Sequence, residues 1–101
     1  MLEWHPKILH PVNFTRAKTH AVDGWRVPTR AELVALHDSG DFPEDMKGKT
    51  FWSSTPYAPV SSYGWIVSFC YGTTCTVNLT STVFVRLVRS VQTQKATGET
   101  P

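Results

Sequence analysis

Cysteine is scarce in this sequence, and so is any long apolar segment. Cys70 and Cys75 are the only cysteines among 101 residues, which excludes a four-cysteine zinc site. No apolar run approaches the ~20 residues that a membrane-spanning helix requires, and the amino-terminal residues lack the basic and apolar stretches of a secretory signal. These absences predict no membrane association and a protein that is cytoplasmic or phage-associated, or extracellular if a signal was removed.

The residues that are present have the composition of a globular protein. Hydrophobic residues make up 41% of the chain and aromatic residues 12%, which is too apolar for a disordered protein. The length fits one domain, and the segment 92–101 is polar without periodicity. We therefore predict a single domain over residues 1–91, followed by a disordered tail at 92–101.

Carboxylate side chains are missing from one long stretch, between Met46 and Gly98. Residues 1–45 hold five basic and seven acidic residues, a net charge of −2, and residues 46–101 hold five basic residues and one acidic residue, a net charge of +4. Strands commonly exclude Asp and Glu, which is one explanation. The other is an electropositive sheet face, which would favour a sulfated glycan, a nucleic acid or an acidic protein surface. The formal charge of the whole chain is only +2, so we do not expect nucleic-acid binding.

Two short helices are predicted in the first part of the chain. Asn13 is a candidate N-cap for a helix that extends to residue 22 and ends at the Asp-Gly pair 23–24. A second helix has the clearest start signal, because Thr29 and Glu32 have the spacing of a capping box. Apolar residues follow at helical spacing, and the segment 38–41 ends the helix.

From residue 50 onward, apolar and polar residues alternate with the period of a strand. Two helices followed by three or four antiparallel strands predict an α+β fold, with the helices packed on a small twisted antiparallel sheet. The strands are predicted at residues 51–55, 63–71, 74–80 and 83–91, with a further edge strand near residues 2–5.

The two cysteines flank the turn of the predicted hairpin. If Gly72 and Thr73 form a two-residue turn, Cys70 lies directly opposite Cys75, at a Cα separation of ~4.5 Å that a disulfide can bridge. In a reducing compartment the same residues remain neighbouring thiols. The sequence leaves both states open.

Four stretches, in this order, resemble the signature of one known family. Residues 24–33 read G-W-R-V-P-T-R-A-E-L, similar to the W-R-L-P-T-x-x-E-L signature of the Lcl C-terminal domain family (domain of unknown function 1566). The stretches F-W-S-S-T at 51–55, G-W-I-V-S-F at 64–69 and V-R-L-V-R at 85–89 resemble its later strands. The resemblance covers residues 4–91. It implies a C-type lectin-like fold of the formylglycine-generating-enzyme-like branch.

The residues of these motifs are expected to be structural. Trp25 and Trp52 are expected to provide large apolar plates where the helices meet the sheet. Arg26 is expected to pair with Glu32 or Asp23, because arginine is rarely buried without a partner. Arg86 and Arg89 fall on opposite faces of the last predicted strand, so at most one of them is buried. The structural motif comprises Trp25, Arg26, Thr29, Glu32, Trp52, Trp65 and Arg86.

No arrangement of residues in the sequence indicates catalysis. An oxidase of the related branch would need its own copper-binding cysteine pair, and the segment around Cys70 and Cys75 has no match to it. The Glu-Pro-Asn and Trp-Asn-Asp elements that calcium-dependent sugar binding would imply are absent. The four histidines are scattered without metal-ligand spacing. We therefore predict no enzyme activity, no cofactor and no metal site.

The function predicted from these features is recognition, with an unidentified protein or an anionic glycan as the partner. The first hypothesis is a non-catalytic module that binds a glycan or protein through loops or a basic sheet face. The alternative is a small phage- or mobile-element-encoded accessory protein that binds and inhibits a host bacterial protein. The sequence leaves self-association open, and for the tyrosines packing in the core is the competing interpretation. The ligand-binding candidates are Lys47, Lys49, Tyr57, Tyr63, Tyr71 and Arg89.

Overall fold

The structure, a computed structural model, describes residues 2–90. It is an α+β fold in which two helices pack on a mixed sheet. The predicted tail 92–101 lies outside the described residues. The helices are α1 (Phe14–Thr19) and α2 (Arg30–Ser39), with a 3-10 turn at Glu44–Met46, and the strands are β1 (Leu2–Trp4), β2 (Leu9–Val12), β3 (Thr50–Pro56), β4 (Tyr63–Ser68), β5 (Thr74–Asn78), β6 (Val83–Val85) and β7 (Val88–Ser90).

The first helix is shorter than the sequence predicted. Its start is confirmed, because the Asn13 side chain accepts a hydrogen bond from the Arg16 amide. The helix ends at Thr19, whose hydroxyl donates to the Arg16 carbonyl at 2.6 Å. The chain then turns through Asp23 and Gly24, which both have positive φ, of 57° and 85°.

The second helix is confirmed at both ends. The Thr29 hydroxyl accepts from the Glu32 amide at 3.1 Å, and the Glu32 carboxylate accepts from the Thr29 amide at 2.8 Å, so the capping box is complete. Gly40 ends the helix in the left-handed region, at φ 71°. None of the helices in the described part of the chain is long and apolar enough to cross a membrane.

The main sheet has five strands in the order β2-β6-β3-β4-β5, so the prediction of three or four antiparallel strands was wrong. Strands β3 and β6 are parallel, with Phe51 beside Phe84, and the other neighbours in this sheet are antiparallel. The sheet is therefore mixed. The parallel pair joins segments that are distant in sequence, and such pairing leaves no local signal.

The predicted last strand is divided into β6 and β7. Arg86 and Leu87 lie between them, and the Leu87 carbonyl accepts from the His5 amide at 2.8 Å. Strand β7 then pairs with β1, with Leu2 opposite Ser90, in a separate two-stranded ribbon. The strand-like alternation of residues continues across Arg86 and Leu87, so the sequence does not indicate where the strand is divided.

Each face of the main sheet has its own hydrophobic cluster. Neighbouring residues of a strand point to opposite faces, and here Phe51 and Trp52 are both fully buried in different clusters. The Trp52 cluster includes Ala17 of α1, and the Phe51 cluster includes Leu33 of α2. Trp52 also donates its indole N–H to the Val12 carbonyl at 2.8 Å, so this tryptophan joins α1, β2 and the sheet as predicted.

Candidate ligand-binding surfaces

The six predicted ligand-binding residues lie in separate regions of the surface. Lys49 lines a cleft beside the edge of the sheet, and the exposed Lys47 does not line it. Tyr57 and Tyr63 belong to a second region on β4 and the preceding loop. Tyr71 is at the tip of a hairpin, and Arg89 is on the β1–β7 ribbon.

The first region is a pair of adjoining clefts of about 410 and 350 Å³ that share Lys49 and Phe84. Strand β2 and the residues before it form one wall, and the turn before β3 and the residues around β6 form the rest. We call this region the basic cleft, and its principal side chains are Lys7, His10, Asp45, Lys49 and Phe84.

Lys49 is held in place within the basic cleft. Its ammonium nitrogen lies 5.6 Å from the centroid of the Phe84 ring and donates to the Asp45 carbonyl at 2.9 Å. The carboxylate of Asp45 is already bound to Arg86 at 2.9 Å. Lys7 and Lys49 therefore have no salt-bridge partner within residues 2–90, and their charge is available to an incoming anion.

The two arginines of this half are each paired with a carboxylate. Arg86 is only 5% exposed and binds Asp45, and Arg89 donates to Glu3 at 2.7 Å. The guanidinium of Arg89 also lies 4.3 Å from the centroid of the Trp25 ring. Of these two arginines only Arg86 is buried, as predicted. Asp45 and Glu3, from the first half of the sequence, therefore neutralise Arg86 and Arg89 of the second half. Arg89, a predicted ligand-binding residue, already binds a carboxylate.

The second region is a patch of aromatic and polar side chains around Trp65. The Arg30 guanidinium lies 4.3 Å from the centroid of the Trp65 ring, and the Tyr57 ring meets Trp65 edge-on at 5.5 Å. Tyr63, which is 38% exposed, lies on the same face of β4, two residues earlier. The opposite residues on β5 are Thr76 and Asn78. We call this region the aromatic face: Arg30, Tyr57, Tyr63, Trp65, Thr76 and Asn78.

The hairpin that carries the two cysteines differs from the prediction. Ser68 pairs with Thr73, so the loop has four residues rather than two. Cys75 lies opposite Ile66 instead of Cys70, and both cysteines are exposed and free. The predicted register, on which the disulfide depended, was therefore wrong. Gly72 explains the wider loop, because its φ of 72° completes a turn that begins before Cys70.

Tyr71, at the tip of this loop, is 80% exposed. No other predicted ligand-binding residue contacts it among the described aromatic and cation–π pairs. It therefore adds to neither the basic cleft nor the aromatic face.

The arginine–glutamate pair of the first motif, Arg26 and Glu32, has the geometry of a structural ion pair. Arg26 donates two hydrogen bonds to the Glu32 carboxylate, at 2.7 and 2.6 Å, so Glu32 rather than Asp23 is its partner. The bond from Arg26 lowers the pKa of Glu32, the Thr29 amide lowers it further, and burial opposes both. The same bond raises the pKa of Arg26. The pair fixes the start of α2 and therefore the position of Arg30.

Arg30 is the residue of the aromatic face that the sequence analysis missed. It occupies an unspecified position of the W-R-L-P-T-x-x-E-L signature and is the first residue of α2. A positive charge at the N-terminus of a helix interacts unfavourably with the helix dipole. This unusual position is the sequence feature that could have identified Arg30. Within residues 2–90, no group of three or more His, Cys, Asp or Glu side chains is arranged to hold a metal ion.

Comparison with known families gives a match over nearly all of the described residues. The family model of the Lcl C-terminal domain matches residues 2–89, a range that contains all four resembling stretches and both surface regions. Among curated proteins, no sequence matches the chain.

Proposed function

The chain belongs to the Lcl C-terminal domain family, and we propose that it is a non-catalytic recognition module that binds an anionic ligand in the basic cleft. The ligand class is an anionic glycan or an acidic protein segment. We also propose that its α+β fold is C-type lectin-like, as the motif resemblance implies, and comparison of an experimental structure with C-type lectin domains tests this.

The observation that carries the proposal is the position of Lys49. Its side chain lines two adjoining clefts, lies over the Phe84 ring and forms no salt bridge within residues 2–90. An anionic group bound there would contact the Lys49 ammonium group beside the apolar Phe84 ring. The ring partly excludes water, which strengthens the attraction between opposite charges.

Lys7 extends the positive potential along the opposite wall, where the imidazole of His10 also lines the cleft. Two lysines along one cleft favour a ligand with repeated negative charges. The carboxylate of Asp45, at the rim, does not cancel this field because Arg86 already neutralises it. We therefore expect binding that weakens as salt is added, because ions screen exposed charges over a Debye length of about 10 Å at 0.1 M salt.

Heparin-affinity chromatography, with a salt gradient, tests the cleft. Lys7→Ala and Lys49→Ala should each elute at lower salt than the parent protein, and the double variant at lower salt still. Lys47→Ala is the matched control, because it removes the same charge from an exposed residue that does not line the cleft. Equal shifts for Lys47→Ala and Lys49→Ala would show that only net charge matters and would contradict the proposal.

The two ligand classes are separated by competition. Soluble heparin and poly-glutamate are added in turn to the protein bound to immobilised heparin. The two competitors are compared at equal concentrations of negative charge. More efficient release by heparin supports a glycan as the ligand, and more efficient release by poly-glutamate supports an acidic protein segment. Release by neither competitor below the salt concentration that elutes the protein would contradict a specific cleft.

A further inference from the structure

One half-buried arginine differs from the others. Three of the five arginines each bind a carboxylate: Arg26 binds Glu32, Arg86 binds Asp45 and Arg89 binds Glu3. Arg30 is half-buried, yet within residues 2–90 no carboxylate lies within ion-pair distance of it. The exposed Arg16 also lacks such a partner in this range, but Arg16 can be fully hydrated.

The side chain of Arg30 is nevertheless held in position. Its guanidinium stacks on the Trp65 ring at 4.3 Å, and Tyr57 supports the same ring from its edge. The backbone is fixed as well, because the Arg30 amide donates to the Thr55 hydroxyl at 2.9 Å. A stacked guanidinium leaves its in-plane N–H groups free to donate, and this geometry suits two parallel hydrogen bonds to a carboxylate.

The residues beside this guanidinium fit a sugar ring. Tyr63 is exposed on the same face of β4, and an aromatic ring can pack against the C–H face of a pyranose. Thr76 and Asn78 lie opposite Trp65 and Tyr63, and their polar side chains can bond hydroxyl groups. The Asn78 amide oxygen accepts from Thr80 at 3.0 and 2.8 Å, so the amide nitrogen is the group of this side chain that can donate to a ligand.

We propose that the aromatic face binds an acidic sugar residue, with Arg30 holding its carboxylate. The planar carboxylate matches the guanidinium edge, and the tyrosines and polar side chains match the ring and its hydroxyls. Strand β5 lies at the edge of the sheet, so its outer backbone groups can also pair with a peptide, and an acidic peptide is the competing occupant in the test. The site is separate from the basic cleft and does not depend on the function proposed for that cleft.

Titration with trigalacturonate, followed by two-dimensional NMR of the indole N–H groups, tests the site. Trigalacturonate should shift the Trp65 signal, and its methyl ester, which lacks the negative charges, should bind at least about tenfold more weakly, as expected for loss of charge-assisted hydrogen bonds. The indole signals of Trp4, Trp25 and Trp52 serve as internal references.

Variants of Arg30 identify the group responsible. Arg30→Met keeps an apolar stem over Trp65 and should weaken binding about tenfold or more, whereas Arg30→Lys, which keeps charge but lacks the planar fork, should recover only part of it. Arg16→Met removes an exposed arginine of α1 and should bind like the parent protein. Unchanged chemical shifts of the parent protein's amide signals in each variant establish that the fold is retained.

Four results would overturn the proposal. The first is no shift of the Trp65 signal at millimolar trigalacturonate. The second is equal binding of the acid and its methyl ester, and the third is equal losses of binding in Arg30→Met and Arg16→Met. The fourth is a Trp65 shift with an acetylated glutamate tripeptide at lower concentration than with trigalacturonate, which would assign the site to acidic peptides.

Discussion

Asp45 binds Arg86 across the middle of the fold, with 2.9 Å between the carboxylate and guanidinium atoms. Arg86 also donates to the His5 carbonyl at 2.8 Å. Its single guanidinium therefore ties the turn before β3 to the segment after β1. The pairs Asp45–Arg86 and Glu3–Arg89 thus join the acidic first half of the sequence to the basic second half.

We predict that Arg86→Met costs about 3 kcal/mol in the free energy of unfolding, because it leaves the His5 carbonyl without its donor and removes the buried guanidinium that binds Asp45. Asp45→Asn should cost only about 1 kcal/mol, since the Asp45 side chain is 55% exposed and water can replace it. Urea unfolding at pH 7 measures both. Equal losses of stability in the two variants would show that the bond to Asp45, rather than the bond from Arg86 to the His5 carbonyl, provides most of the stabilisation.

The Arg26–Glu32 pair predicts a dependence of stability on pH. The pKa of Glu32 in the fold lies below its ordinary value of 4.5. The pair's contribution is therefore fully present above pH 4.5 and is lost as the pH falls through the lower folded-state pKa.

The variant Glu32→Gln isolates this effect, because glutamine also serves in a capping box. We expect a loss of about 1 kcal/mol at pH 7, discounted because Arg26 is partly exposed, and a much smaller difference at pH 3. Urea unfolding at both pH values measures it, with Glu44→Gln as the exposed control. A difference that stays constant between pH 7 and pH 3 would contradict the charge-based account.

The parts of the fold that could be predicted from the sequence are those determined by residues close together along the chain. The capping box of α2 depends on Thr29 and Glu32, three positions apart, and Gly40 ends the same helix. The division between β6 and β7 depends instead on a hydrogen bond from His5 to Leu87. That partner lies at the other end of the chain, and no pattern within residues 83–90 identifies it.

The same distinction applies to the candidate sites. Lys49 could be selected from composition, but its position over Phe84 results from the parallel pairing of β3 with β6. Arg30 was missed because the significance of its charge depends on the absence of a nearby carboxylate, which is a three-dimensional property. Charge counting also could not show that Glu3 and Asp45 would neutralise Arg89 and Arg86.

The hairpin register predicts that Cys70 and Cys75 behave as two independent thiols. Both are exposed, so the native protein should react with two equivalents of Ellman's reagent at similar rates before and after treatment with a reductant. The variant Cys70→Ser/Cys75→Ser should unfold within about 0.5 kcal/mol of the parent, as expected for exposed positions. If the native protein reacts only after reduction, Cys70 and Cys75 form a disulfide and this prediction is wrong.

Gly72 and His37 predict an energetic coupling between the hairpin loop and α2. A Cβ added at Gly72 would overlap the His37 ring, and that ring is confined between Phe42 and Phe69, with centroids at 5.6 and 5.4 Å. Gly72 also has a φ of 72°, which disfavours any residue with a Cβ. Gly24→Ala separates the two effects, because Gly24 has a φ of 85° and no atom within 4 Å of the added Cβ.

We expect Gly24→Ala to cost about 1 kcal/mol from backbone conformation alone, and Gly72→Ala to cost about 1–3 kcal/mol more from steric overlap. The excess should largely disappear when Gly72→Ala is made in a His37→Ala background, which removes the ring. Urea unfolding of the four members of this double-mutant cycle gives the coupling. Strictly additive effects would mean that His37 moves aside without cost, and that its packing against Phe42 and Phe69 does not hold the loop.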